Sequence, residues 1–171
     1  MKRALVWVAV VALVLLGHSF GGKNLRGALD ALPALIAALV GWLFARTLRP
    51  GRPPLIARAI AAIDGAQWLD DLAVAAYARR LTAVWAVWQF ALAACAALLA
   101  LHAHGIFADA AWLPSPCAFG WIVLPLAVAT LFLGEFFLRP HLLPQAPRRG
   151  LFAFLTALIR HWPALLAERA P

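Results

Sequence analysis

A single aspartate, Asp109, separates two long uncharged runs, Leu81–Ala108 and Ala110–Gly134. An α-helix crosses the hydrocarbon layer of a bilayer in about 20 residues, so each run is long enough to span one. The rest of the chain has the same character: of 171 residues, 65% are hydrophobic and 13% charged, and the mean hydropathy is +0.86. Soluble globular domains carry about 25% charged residues. The apolar residues therefore point to burial in lipid, and the fold class expected is an all-α polytopic membrane protein.

Four segments follow from this pattern: Ala4–Phe20, Ala28–Ala45, Leu81–His102 and Cys117–Leu138. The first follows Lys2 and Arg3 and has two readings, a retained span or a cleaved signal peptide with Gly17 and Ser19 as small residues near the cut. Either places residues 21–27 outside. The second carries Asp30 and Pro33 in its first turns. Cytoplasmic loops retain Lys and Arg. With the N-terminus inside, thirteen Lys and Arg fall inside and only Lys23 and Arg26 fall outside. The expectation is one membrane domain over residues 1–171, with four transmembrane helices, both termini cytoplasmic, a central cytoplasmic loop over 46–80 and a cytoplasmic tail over 139–171.

The central loop has structure of its own. RPGRPP, Arg49–Pro54, cannot continue a helix, because its prolines lack donors and push their predecessors towards extended backbone. Leu55, Ile56, Ala59, Ile60 and Ile63 then recur at helical spacing, with Arg58 and Asp64 off the stripe and Gly65 as terminator. This predicts a short amphipathic helix on the membrane surface. From Trp68 to Arg80 a further helical stretch has Asp70 and Asp71 at its start and Arg79 and Arg80 at its end, an order that suits the helix dipole. It runs on into the third span. In the tail, Leu151, Phe152, Phe154, Leu155, Leu158, Ile159 and Trp162 form a second amphipathic, interfacial candidate.

Several side chains are candidates for chemistry or binding. Glu135 and Arg139 are four apart, on one helix face, and predict an ion pair at the interface, where a charge costs less than at the bilayer centre. The alternative makes Glu135 a polar anchor facing the bundle, for a substrate or for Arg79 or Arg80. The arginines Arg49, Arg52, Arg58, Arg79 and Arg80, with Tyr77 and Trp85 beside them, enforce topology and touch anionic lipid, or else dock an acidic partner or phosphate through bidentate guanidinium pairs. His102 and His104 read as polar residues at the outer interface. With Asp109 they do not make a convincing metal site, and no metal or other cofactor is expected. Asp30 reads as a helix-start residue, and His18 and Gln89 as hydrogen-bonding groups between helices. Cys95 and Cys117 lack redox or metal spacing and read as small buried apolar side chains. No phosphate loop, Ser/His/Asp order or paired cysteine motif supports an enzyme. The net charge of +8 flanks apolar spans, so nucleic acid is not the expected partner.

Three stretches, RPPLIARAIAAIDG (Arg52–Gly65), YARRLTAVWAVWQF (Tyr77–Phe90) and GEFFLRP (Gly134–Pro140), occur in this order. With them the chain resembles a family of small bacterial inner-membrane proteins encoded in gene clusters for aryl-polyene and xanthomonadin-type pigments. The similarity runs from about Leu43 to Leu158 and includes a basic tail followed by LFAFLTALI. The matching positions are Arg52, Pro54, Arg58, Tyr77, Arg79, Arg80, Thr82, Trp85, Glu135 and Arg139. Some members carry a ketosynthase-related label, but this chain is too small and apolar for a condensing enzyme, and neither cysteine has a nucleophile context. The resemblance implies a membrane component of a pathway that elongates acyl chains on acidic carrier proteins towards a lipid-like pigment.

Two functions are carried forward. One is an accessory or scaffold protein whose cytoplasmic arginines recruit an acyl carrier protein or a pathway enzyme to the inner leaflet. The other is a transport component for the pigment or a precursor, with Glu135 and Gln89 in an intramembrane path; four short spans would then need a second copy or another subunit.

Overall fold

A computed structural model describes residues 23–105, 113–142 and 156. Among them all regular structure is helical, with no strand. The order is α1 (Lys23–Arg46), α2 (Leu55–Ile63), a 3-10 turn (Ala66–Asp70), α3 (Leu72–Ala103) and α4 (Pro116–Leu142). Among the described residues, three helices are long and apolar enough to cross a membrane: Leu29–Arg46 within α1, all of α3, and α4. They correspond to the second, third and fourth expected segments. The segment Ala4–Phe20, the tail helix candidate over 151–162 and Asp109 lie outside the described residues.

The chain forms two compact units, Met1–Ala38 with Phe90–Leu126, and Leu39–Gln89 with Ala127–Pro171. In the first, α4 begins with a Ser115 cap, whose Oγ accepts from Ala118 N at 3.2 Å, and widens into a π turn over Phe119–Val123. The cause lies just downstream. Pro125 has no N–H and its ring would crowd the carbonyl four residues back. A wider turn relieves that crowding, and Leu124 N accordingly donates to Phe119 O, five residues back. Gly120 lies in this turn against Pro33 of α1, where a Cβ would come within 2.6 Å of the proline ring. Cys95 and Cys117 are both exposed free thiols, which corrects the expectation that they are buried.

In the second unit α2 and the start of α3 make a helical hairpin. Ala57, Ile60, Val74 and Ala78 form its centre, with Ile56, Trp68, Leu69 and Tyr77 packed around them. Ala57 lies off the expected apolar stripe, yet it is buried where Ala59 and Ile63 are only partly so. Its small side chain lets α2 approach the equally small Ala78. The hairpin bends at Gly65, whose φ of +107° and ψ of +148° suit glycine alone. Asp71 opens α3, accepting from Ala73 N at 2.8 Å through Oδ1. From there α3 runs unbroken to Ala103, so residues 72–80 of the expected Trp68–Arg80 helix continue into the third expected segment, whereas its first residues belong to the 3-10 turn and the extended Asp71.

Along α3 the buried positions are Val74, Ala78, Thr82, Trp85, Ala86, Gln89, Leu92, Ala93, Ala96, Leu99 and Ala100. They repeat at helical spacing. Most are small, whereas Val84, Val87, Trp88, Phe90, Leu98 and Leu101 are exposed. Helices in lipid gain little from hiding apolar surface from one another and associate through close backbone approach, which the buried Ala78, Ala86, Ala93, Ala96 and Ala100 permit beside the larger Leu92 and Leu99. The fourth segment also extends further than Leu138, passing Arg139 and Pro140 to end at Leu142.

Two glycines separate backbone need from space. Gly65→Ala should destabilise by about 1–3 kcal/mol, because its backbone region excludes a side chain. Gly134→Ala, with nothing near its Cβ position, should instead stabilise by up to about 1 kcal/mol as a helix-interior replacement. Thermal unfolding of the two variants in one detergent checks both signs.

Candidate functional site

The polar side chains of the second unit gather around α2. The helix starts behind Pro53 and Pro54 without a side-chain cap of its own, so its first N–H groups need outside acceptors. Thr47 Oγ1 accepts from Leu55 N at 3.0 Å and donates to Phe44 O at 2.7 Å. Thr82 Oγ1 accepts from Ile56 N at 3.3 Å and donates to Ala78 O at 2.7 Å. Both threonines are buried, and each uses its hydroxyl both ways. One comes from just beyond α1 and the other from α3, so the start of α2 is bolted to both.

The other end of α2 is held by charge. Asp64, the residue after the helix, has a side chain only 2% exposed and pairs with Arg139 of α4 at 3.1 Å, the arginine side chain being 17% exposed. One turn earlier on α4, Glu135 accepts a hydrogen bond from Tyr77 Oη at 2.9 Å. The expected Glu135–Arg139 pair is thereby corrected: the two share a helix face, but each takes a partner on another element. The physical reason is that Tyr77 and Asp64 supply a donor and an anion from a structured hairpin. A surface i,i+4 pair is worth only about 0.3–0.5 kcal/mol. Arg139 Nε is buried without a hydrogen-bond partner.

The remaining candidates divide between packing and exposure. Trp85 is buried and stacks on Phe44, with centroids 5.5 Å apart and planes at 10°, which makes it a packing residue instead of a contact for a partner. Arg58 Nε donates to Pro53 O at 3.2 Å and folds back on the proline arm. Arg79 Nη2 donates to Leu48 O at 2.9 Å while the residue stays exposed, so it is tied to the turn that carries Arg49 and Arg52. In that turn Arg52 N donates to Arg49 O at 3.2 Å, and Arg49, Arg52 and Arg80 are exposed. At the end of α1, Arg46 sits over the exposed Trp42 ring at 5.0 Å. Gln89 is buried in the α3 stripe. In the first unit, His104 is exposed and lies close to Gly27.

Sequence reasoning passed over Asp64 and Thr47 as site residues. Asp64 had a legible signal, because a carboxylate just past a helix C-terminus opposes the dipole and so implies a cation from elsewhere. Thr47 had none, since its role depends on where α2 begins in space. No family model matches the chain, and neither a curated protein nor a solved structure is significantly similar to it.

The buried pair gives a direct test. Arg139→Gln should cost about 3 kcal/mol, because the buried Asp64 carboxylate loses its guanidinium partner. The double variant D64N/R139Q should lose less than the two single losses combined. Thr82→Val should cost about 1–3 kcal/mol by leaving Ile56 N–H without its acceptor. Denaturation of the purified protein in a fixed detergent measures all of these.

Proposed function

We propose that the chain is a non-enzymatic accessory protein of the bacterial inner membrane. In this reading it has four spans and both termini in the cytoplasm, and the α2 hairpin lies along the inner leaflet. It holds an acyl carrier protein or an enzyme of an aryl-polyene-type pathway at that leaflet. The observation that carries the reading is the presentation of Arg49, Arg52, Arg79 and Arg80: all are exposed, on the turn before α2 and on α3, around a helix α2 that is tied down at both ends. Guanidinium groups on a fixed frame lose little freedom when they pair with carboxylates or phosphate, and they match either bidentately. A loop that only enforced topology would need the charges but not the frame.

The transport reading asks Glu135 to meet a moving substrate. Its carboxylate already accepts from Tyr77, which favours a fixed structural use and leaves the scaffold as the better account. Changing Arg52, Arg79 and Arg80 together to Glu should leave membrane insertion intact and abolish retention of the acyl carrier protein on inner-membrane vesicles. Undiminished retention at the same ionic strength would overturn the proposal.

A further inference from the structure

We propose that the pairs Asp64–Arg139 and Tyr77–Glu135 act together as a polar latch, in which Asp64 and Tyr77 are positioning residues that fix the C-terminal part of α4 against the α2–α3 hairpin. The inference is independent of which molecule the exposed arginines bind. It starts from an imbalance in how the elements of this unit are held. The hairpin has an apolar centre, Ala57, Ile60, Val74 and Ala78, and its own backbone caps. The stretch Leu124–Leu142, in contrast, contains no buried residue, and Leu133, Phe137, Leu138 and Leu142 are exposed.

Three of its links within the unit are polar side-chain bonds. Trp88 Nε1 donates to Ala127 O at 3.2 Å, Tyr77 Oη to Glu135 Oε1 at 2.9 Å, and Arg139 Nη2 to Asp64 Oδ2 at 3.1 Å. In an apolar surround, a leucine on α4 gains little by exchanging lipid for another helix. The polar links therefore decide where this end of α4 rests. The tryptophan bond can form wherever that carbonyl comes within reach. The two carboxylate pairs cannot, because they are one helical turn apart on α4 and bind separate elements, Tyr77 on α3 and Asp64 at the end of α2. Satisfying both admits one rotation and one height of the helix. Parting both would let this end of α4 turn or slide without unfolding the hairpin.

The full chain, with Cys95 and Cys117 replaced by serine, is spin-labelled at Gln67→Cys and His141→Cys in liposomes, and the distance distribution is measured by pulsed electron resonance. A second sample, labelled at Gln67→Cys and Ala76→Cys, reports on the hairpin alone. With Asp64 and Tyr77 intact the first pair should give one narrow distance. The double variant D64N/Y77F should broaden or shift it while leaving the hairpin pair unchanged. The charge exchange D64R/R139D, with Tyr77 restored, should recover the narrow distance. An unchanged first pair in D64N/Y77F would overturn the latch. So would a change in both label pairs, which would make the contacts part of the hairpin's own folding.

Discussion

A helix that begins behind two prolines in a packed hairpin must find acceptors for its first N–H groups outside itself, and the second unit depends on how α2 meets that need. Water is the usual solution at an exposed helix start. Here the start is buried, with Leu55 and Ala57 both enclosed, and an unpaired buried donor costs about 1–3 kcal/mol. Thr47 and Thr82 remove that cost, and in doing so they fix which parts of α1 and α3 must lie beside α2. The apolar contacts of Ala57 and Ile60 come into register once these two bonds are set. The arginines of the Arg49–Pro54 turn are carried with them, since this turn is the short link between Thr47 and Leu55.

The same economy of polar contacts explains why the long helices look alike in sequence and differ in structure. An amphipathic helix announces its buried face by polarity, but α3 is apolar on both faces. Its inner face carries Ala78, Ala86, Ala93, Ala96 and Ala100, with Leu92 and Leu99 among them, and Val84, Val87, Trp88 and Phe90 lie outside. Trp85 is the informative exception: a large ring on the inner face, admitted because Phe44 offers a flat surface to stack on. Gly120 against Pro33 follows the same rule in the first unit, where two rigid shapes meet and one of them must have no side chain.

Much of the architecture was legible because it rests on length and on strong breakers. The uncharged runs mark the long helices, RPGRPP marks the break after α1, Gly65 marks the end of α2, and the acidic pair Asp70 and Asp71 marks the start of α3. The burial of Ala57 and the exposure of both cysteines were not legible, since neither follows from a residue's own polarity. The π turn needed two facts together: Pro125 inside an apolar run and a helix already established before it. Among the site residues, the exposure of Arg52, Arg79 and Arg80 was legible from charge and spacing. The burial of Trp85 was not, because an aromatic beside arginines suits an interface as well as a core.

Glu135 and Arg139 show where local reasoning stops. Their spacing on α4 correctly puts them on one face, and in an isolated helix they would pair with each other. Once the hairpin is present, the choice lies between one intrahelical contact and two contacts to other elements, Tyr77 to the carboxylate and Asp64 to the guanidinium. The second arrangement engages four side chains instead of two, and it brings a guanidinium to the buried Asp64 carboxylate at an unfavourable helix end. Leaving a buried charge without its counter-ion is costly, so the arrangement that pairs the most deeply buried ion prevails over the one that is nearest in sequence. That preference also ties α2, α3 and α4 together at one place, which no intrahelical bridge could do.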